Sequence, residues 1–589
     1  METNALYFGD NLKVLSERLP DGTFRFPSES VDLVYLDPPF NSNRDYSLIF
    51  KETSGDRAEA QIKAFEDTWH WGETARDALH DVTVTGVNDG RIPDNVGRML
   101  DALVRGIGHN DMSAYLVMMT PRLVQMHRVL KRTGSLYLHC DPTASHYLKI
   151  MLDSIFGPER FLNEVVWRRT GAHGKTRRYG PIHDTILVYT KTIAFKWKHP
   201  TRPYMRGHVD EYFVQDERGW RTNYYGNVLT GSGRRGGESG QPWRGIDPSA
   251  KGRHWAIPGK LAAALGEDLS GLSQHQKLDR LYEMGHIKIA PGQAWPMYEH
   301  YLTPSDGQAV GDIWSYQPYT EGTVFGRKDG IDEDVRWLSP RDQERLGWQT
   351  QKPEGLLERI IAASTDVDDV VLDPFCGCGT ALVAAQKLGR RWVGIDITHL
   401  SIAVMRARLM DSFGLADVPV YGVPADLESA RMLAAESRDG RYEFQWWALG
   451  LVDAKPVGGA QKKGADRGID GVLTFTERDA IQRILVSVKS GKPSLLHVKE
   501  LMATLTTEKG TIGILVELDK ATPEMQRAAL EAGQYESDLW GGKYDRLQIL
   551  TVEELLAGKK PNVPKFLPGY QKAAKIQPTA DQQALDLSG

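Results

Sequence analysis

Two short stretches, more than three hundred residues apart, carry the residue types best suited to chemistry on a planar amine. The first is Asp37-Pro38-Pro39-Phe40, at the end of the apolar run Val31-Asp32-Leu33-Val34-Tyr35-Leu36. A short, partly β-branched run before a proline pair reads as a buried strand that stops abruptly. Two prolines fix φ and withdraw two backbone donors, which leaves a rigid loop with free carbonyls. In open α/β sheets the crevice at the carboxyl ends of strands is where ligands bind. Asp37 and the Pro38 carbonyl can accept both hydrogens of an amino group while Phe40 stacks on the ring. Taken alone, these four residues fit an ordinary strand-to-loop turn with a packed Phe equally well.

The second stretch is Asp373-Pro374-Phe375-Cys376-Gly377-Cys378-Gly379-Thr380, after the strand Val370-Val371-Leu372. A helix over residues 381–388 and the strand Trp392-Val393-Gly394-Ile395 follow, ending at Asp396. Gly377 and Gly379 let the backbone approach a ligand closely. Asp396 lies 19 residues beyond Gly377, near the spacing of ~20 at which a carboxylate reaches a ribose hydroxyl in dinucleotide folds. A pyrophosphate would want its charge on a bare helix amino terminus, whereas an acid in the loop suits a cationic nucleoside. S-adenosyl-L-methionine, with its sulfonium and ammonium groups, fits that balance. Cys376 and Cys378 read as small packing residues.

These loops need a sheet to hold them, and the chain supplies alternating strand and helix patterns. Leu6-Tyr7-Phe8 is a short strand ending at Gly9-Asp10-Asn11, and a helix with Leu12, Leu15 and Leu19 on one face follows. Asp10 therefore sits at a strand end like Asp37, although a helix cap is the simpler local role. Residues 41–108 read as a polar, loop-rich insertion beside the site. Residues 115–130 form an amphipathic helix closed by Lys131-Arg132-Thr133-Gly134, cations and a glycine where the dipole and C-cap favour them. Ser135 to Asp141 and Thr185 to Tyr189 are further strands. Thr350-Gln351-Lys352-Pro353-Glu354 opens a helix with Leu356, Leu357, Ile360 and Ile361 inward, proline at the first turn being favourable.

Bulk properties bound the rest. At 589 residues the chain exceeds one core, and 41% apolar with 25% charged residues is an ordinary globular composition. No apolar run approaches a membrane span and no signal-peptide pattern opens the chain, which points to a cytoplasmic protein. Three cysteines (Cys140, Cys376, Cys378) are too few for a disulfide framework or a four-cysteine zinc site. The net charge of −5 hides an asymmetry: ten Lys or Arg and one acid, Asp184, lie between Trp167 and His208. From residue 171 to 311 Gly, Arg, Tyr and Trp interleave, as in Gly231-Ser232-Gly233-Arg234-Arg235-Gly236-Gly237 and Gln241-Pro242-Trp243-Arg244-Gly245. That mixture suits a phosphate-tracking surface with stacking platforms; a solvated irregular insertion is the plainer alternative.

Asp37-Pro38-Pro39-Phe40 together with Asp373 to Thr380 resembles the amino-methylating DNA methyltransferases. The catalytic motif preceding the cofactor motif, with a long variable segment between, resembles the circularly permuted β class, over roughly residues 4 to 412. The resemblance implies a Rossmann-like methyltransferase sheet that binds S-adenosyl-L-methionine and swings its target base out of double-stranded DNA. It implies that Asp10 meets the cofactor's adenine and Asp396 its ribose. Gln351-Lys352-Pro353 would close over its methionine part, and Asp373, Phe375, Gly377, Gly379 and Thr380 would line its loop. It makes Asp37, Pro38, Pro39 and Phe40 the catalytic set, and a homodimer is suggested by the family alone. The family's adenine enzymes usually begin this motif with Asp or Asn and its N4-cytosine enzymes more often with Ser, so Asp37 favours N6-adenine.

The expected organisation is a catalytic half over 1–170 and a target-recognition region over 171–311, strand 185–190 of which belongs to the sheet. A cofactor half follows over 312–412, a linker over 413–440, a second α/β domain over 441–574 and a disordered tail over 575–589. In the second domain Glu443 falls on a helix, Gly468-Ile469-Asp470 precedes a strand, and Val488-Lys489 ends the strand from Ile484. Acid, strand, then lysine is how restriction-type nucleases hold a divalent ion and activate water. The pattern resembles the Mrr-like branch of that fold, with Asp470 as metal ligand, Lys489 as activating cation, Glu443 as a helix-borne acid and Mg2+ as the metal. Ser487 stands where an acid is usual, which removes a charged ligand. Two readings stay open: a methyltransferase with a DNA-binding or assembly appendage, and a single-chain restriction–modification enzyme that also cuts.

Overall fold

The computed structural model describes every residue except 40–46, 52–56, 62–70, 172–178, 218, 226–228, 258–270, 290, 292–294, 303–305, 316–334, 336, 340–341, 343, 347, 349, 416, 436–439, 457–468, 478–479, 565 and 568–589. Phe40, part of the basic run and the tail from Lys575 thus lie outside the described residues. The chain divides into two units. One comprises Met1–Lys198, Asp312–Ser315 and Val335–Gly589; the other comprises His199–Gly311 and Tyr316–Asp334.

The first unit is α/β, as expected. Its larger sheet has nine strands: β1 (Ala5–Phe8), β2 (Val31–Leu36), β3 (Leu130–Cys140), β4 (Phe161–Arg168), β5 (His183–Thr190), β6 (Ile313–Trp314), β7 (Val370–Asp373), β8 (Arg391–Asp396) and β9 (Val420–Tyr421). Their order across the sheet is β6-β4-β5-β3-β2-β7-β8-β1-β9. Only β5 runs against its neighbours, β3 and β4; the other described pairings are parallel. Central parallel strands are covered on both faces, so they must be apolar throughout. Every residue of β2 and β7 is accordingly buried. The buried acid in β2, Asp32, is paired with Lys131 at 2.7 Å and accepts from the Val370 amide at 2.9 Å. It thereby fixes the start of β7 against β2.

Helices α1 (Asn11–Ser16), α2 (Asp94–Ile107), α3 (Asp111–Val129), α4 (Ser145–Phe156), α5 (Glu354–Ser364), α6 (Thr380–Lys387) and α7 (His399–Phe413) surround this sheet. Two local expectations are corrected. The stretch read as loop-rich contains α2, whose Val96, Leu100 and Val104 are buried at a spacing of four. Lys131 to Gly134 do not close α3; its C-cap is Leu130, and these residues begin β3. Lys131 serves Asp32 rather than a helix dipole.

A second sheet in the same unit contains Lys455–Pro456, β10 (Gly471–Glu477), β11 (Ala480–Lys489), β12 (Ile512–Glu517) and β13 (Leu547–Thr551), in that order. The β11–β12 and β12–β13 pairings are parallel. Helix α8 (Gly440–Leu451) adds Phe444, Trp447 and Leu449 to its core, and α9 (Leu495–Thr507) covers another face through Val498 and Leu501.

The other unit holds a four-stranded antiparallel sheet and two short strand pairs. Trp243 and Trp255 are 3% and 1% exposed and pack with Leu278, Leu281 and Tyr298. These two tryptophans are core, not the stacking platforms that their basic neighbours suggested. Arg234 and Arg235 are exposed. Among the described residues no helix is long and apolar enough to cross a membrane.

Candidate active site

Register decides whether the two chemical loops can meet. Leu33 pairs with Val371 and Val34 with Leu372, in parallel. The loop after Leu36 and the loop after Asp373 therefore leave neighbouring strands at the same edge of the sheet. Lys352 closes the arrangement: its Nζ sits on Asp37 Oδ2 and also donates to the Thr350 carbonyl at 3.3 Å. Asp373 is 3% exposed. Burial pushes its carboxyl well above the usual carboxylate range, the charges of Asp37 and Asp396 push the same way, and Lys352 opposes them. Burial disfavours its charged form, and a cation placed beside it would restore that form.

The glycine loop is shaped by its own hydrogen bonds. Asp373 accepts from the Phe375 amide at 3.1 Å, and the Cys376 amide donates to the Ile395 carbonyl at 3.1 Å. The Gly377 amide donates to Asp396 Oδ2 at 2.9 Å, while Thr398 donates to Oδ1 through its amide at 3.0 Å and its hydroxyl at 3.1 Å. Burial still pushes the Asp396 carboxyl up. Gly379 has φ +76° and stands at the N-cap of α6, where a Cβ would lie 2.7 Å from Met405 Cγ. A Cβ on Gly377 would come within 3.3 Å of Trp348 Nε1. The cradle thus exists because both positions lack side chains.

Several expected site residues are committed elsewhere through their side chains. Thr380 Oγ1 accepts from Arg408, which pairs with Glu354 at 2.8 Å. Gln351 Oε1 accepts from the Leu346 amide and its Nε2 donates to the Glu344 carbonyl, both at 2.8 Å. It braces the preceding loop, and Pro353 occupies the N-cap position of α5. Asp10 Oδ1 caps α1 through the Leu12 amide at 2.7 Å, and its Oδ2 pairs with Arg122 at 2.5 Å. The simpler local role for Asp10 is what its carboxylate performs.

Other residues at this edge were not legible as site residues. Asn11 donates to the Pro374 carbonyl at 2.7 Å and accepts from Arg122 Nε at 2.8 Å, tying the loop after β1 to the glycine loop. Below the Pro-Pro loop, the Tyr35 hydroxyl meets His139 Nδ1 at 3.1 Å and His139 Nε2 meets Asp184 at 3.1 Å. Asp184 also pairs with Arg169 at 3.1 Å. Burial would push the Asp184 carboxyl up, but the bond from His139 and the charges of Lys352 and Arg169 outweigh it and hold it low. No spacing rule marks such a relay, because its members come from four separate chain segments.

The second sheet does not fit the metal centre expected of it. Asp470 accepts from Gln445 Nε2, from Ser487 Oγ at 3.2 Å and from the Val488 amide at 2.5 Å, so protein donors already engage both of its oxygens. Lys489 points instead toward Glu500, 3.9 Å away. Glu443 falls on α8. Among the described residues no group of three His, Cys, Asp or Glu side chains could hold a metal ion. The roles expected for Asp470 and Lys489 around Mg2+ are therefore not supported, and the Glu443 side chain lies outside the described residues.

Comparisons with known proteins follow the same division. Residues 31–404 match a family model of N6/N4 methyltransferases described as "DNA methylase", and residues 457–557 match one described as "NACHT-associated inactive Restriction Endonuclease 1". The type II methyltransferase M.EcaI of Enterobacter cloacae is 29% identical over 286 residues, 48% of this chain and 55% of that protein. The Mod subunit of the type III restriction-modification enzyme StyLTI of Salmonella typhimurium is 28% identical over 394 residues, 65% of this chain and 50% of that protein. The chain thus spans about half the length of these curated relatives. The solved PvuII DNA methyltransferase (cytosine-N4-specific) covers 69% of this chain and 86% of its own at 14% identity, with a TM-score of 0.28. With a DNA methylase model matched along most of its length, the chain belongs to the N6/N4 DNA methyltransferase family.

Proposed function

We propose that this chain is a site-specific DNA methyltransferase, of the permuted β class, that methylates the N6 amino group of adenine in double-stranded DNA. The observation that carries the reading is the adjacency of the two loops, on neighbouring parallel strands at one sheet edge. The Gly377–Gly379 turn, the oriented carboxylate of Asp396 and the buried acid Asp373 suit a cationic nucleoside. Bound there, S-adenosyl-L-methionine would supply a methyl group carried on a sulfonium sulfur.

The work of the chain is to hold the amine. A ring amino group is a weak nucleophile because its lone pair is shared with the ring. Asp37 and the Pro38 carbonyl accept its two hydrogens, which withdraws the lone pair from conjugation and aims it. Pro38 and Pro39 keep this grip rigid, and holding two reactants in line supplies much of the rate. As nitrogen gains a carbon it sheds a proton, and the Asp37 carboxylate is the acceptor in contact. The base must leave the stack to reach this pocket. Exposed Arg234 and Arg235 in the second unit suit phosphate contacts.

The 441–574 domain is proposed as a non-cleaving DNA-binding or assembly module, in a modification or phage-defence setting. The full chain, incubated with unmethylated DNA and labelled S-adenosyl-L-methionine, tests the main reading. Asp37→Ala should abolish label transfer and keep DNA binding; undiminished transfer would reject the site. N4-methylcytosine in the digested product, in place of N6-methyladenine, would reject the adenine assignment.

A further inference from the structure

We propose that Lys352 is a positioning residue for methyl transfer: its ammonium, seated on Asp37 Oδ2, fixes the carboxylate so that Oδ1 and the Pro38 carbonyl face one amine. The inference rests on the reading of Asp37 and Pro38 as the amine grip. The family resemblance assigned the Gln351-Lys352-Pro353 segment to the cofactor's methionine part, so this role is a different one.

Three observations converge on it. First, Lys352 and Asp37 are 315 residues apart, yet their side chains meet at 11% and 16% exposure. Among the described residues Lys352 is the one side chain that hydrogen-bonds the Asp37 carboxylate. An aspartate carboxylate turns over a broad, two-fold χ2 profile, so a single strong partner selects its orientation. A carboxylate has about four lone-pair positions, and occupation of Oδ2 leaves Oδ1 for the substrate.

Second, the lysine is mounted on a braced element. Pro353 restricts the backbone of Lys352 toward extended conformations and stands at the N-cap position of α5. The next residue, Glu354, is held by Arg408 at 2.8 Å through its side chain and by Glu344 at 2.8 Å through its amide. Gln351 braces the other side through Glu344 and Leu346. A clamp transmits position only when its own support is rigid.

Third, the charge of Lys352 is directed at protein acids. It opposes the upward shift of Asp373 and helps to hold Asp184 low, besides contacting Asp37. A lysine reserved for a cofactor carboxylate would not need to sit on a carboxylate of its own chain.

The test separates turnover from cofactor affinity. Lys352→Met, Lys352→Gln and Lys352→Arg are compared with wild type in the full chain, using labelled S-adenosyl-L-methionine and unmethylated DNA. Binding of S-adenosylhomocysteine is measured by calorimetry, and thermal unfolding identifies any misfolded variant. The expected result is a turnover loss of between about 10- and 100-fold at saturating cofactor for Met and Gln. Their S-adenosylhomocysteine affinity should stay within about threefold, and Arg should recover a substantial part of the turnover. Turnover within about twofold of wild type in a folded Met or Gln variant overturns the proposal. So does a turnover loss matched by an equal loss of affinity, or an Arg variant no better than Met. Asp37→Ala distinguishes the underlying reading: wild-type turnover there rejects the amine grip itself, whatever Lys352 does.

Discussion

The side-chain amide of Asn11 donates to the carbonyl of Pro374 at 2.7 Å, joining the loop after β1 to the loop after β7 across 363 residues of chain. Arg122 holds the other end of that amide at 2.8 Å and pairs with Asp10 at 2.5 Å. One buried arginine thus supports the loop after β1 directly and the glycine loop through Asn11. Asn11→Ala leaves the Pro374 carbonyl and Arg122 Nε short of partners, a cost of about 1–3 kcal/mol for buried polar groups. We expect a lower unfolding temperature and weaker binding of S-adenosylhomocysteine, with DNA binding unchanged. Calorimetry showing unaltered affinity would separate Asn11 from the cofactor loop.

Gly379 offers a test of the cradle itself. A side chain there meets two obstacles, the left-handed backbone at φ +76° and the 2.7 Å approach to Met405 Cγ. Gly379→Ala should cost about 1–2 kcal/mol from the backbone term alone, with a further contribution from the displaced methionine. Met405 is 1% exposed, so Met405→Ala carries its own cavity cost of about 2–5 kcal/mol, and the contact is read from a double-mutant cycle. Measured against Met405→Ala, Gly379→Ala should cost less than in wild type but still destabilise; no cost there would mean that the positive φ carries none.

How much of this was legible depends on what each residue type must do. The strands before Asp37 and Asp373 stood out because a central parallel strand has to be apolar on both faces. Their adjacency did not, since register is a property of pairing. Helix α2 carries Val96, Leu100 and Val104 at regular spacing, but Gly97, Gly106 and the charges between them masked the pattern. Lys131 to Gly134 matched a helix ending in composition, and only the buried partner Asp32 shows why the lysine is there. Trp243 and Trp255 illustrate the opposite error. Aromatics among arginines look the same whether they face a nucleic acid or fill a small core, and burial alone tells them apart. Lys352 was legible as a site residue and not as a partner of Asp37, because nothing in spacing reports a contact between segments so distant.

The segment carrying Trp348 should respond to pH through Glu344. Burial pushes this carboxyl up to about 7 from 4.5; Glu354 and Asp342 add to the rise, while the Glu354 amide and Arg408 oppose it. Because the folded form binds the proton more tightly, this contribution to stability is fully present below about pH 4.5 and is lost as pH rises through about 7. Glu344 accepts from the Glu354 amide and Gln351 donates to its carbonyl, so the loss falls on the loop beside Gly377. Hydrogen exchange over residues 344–354, corrected for intrinsic rates, should show weaker protection at pH 8 than at pH 6. Glu344→Gln keeps the accepting oxygen and should flatten the difference; a pH effect that persists in that variant would point to another group.

The second sheet makes a prediction about metal. A nuclease centre binds its ion through carboxylate oxygens with free lone pairs, whereas Asp470 already accepts from Gln445, Ser487 and the Val488 amide. Its role in that setting is to join α8 to β11. Adding MgCl2 to chelator-treated protein should leave the unfolding temperature unchanged, and the chelator should leave methyl transfer intact. Asp470→Ala should destabilise the domain by about 1–3 kcal/mol, because three donors lose their acceptor. Plasmid DNA should stay uncut with wild type and variant alike, whether or not it is methylated. Cleavage that requires Mg2+ and disappears in Asp470→Ala would overturn this account, since the carboxylate would then have to exchange its protein donors for a metal ion during the reaction.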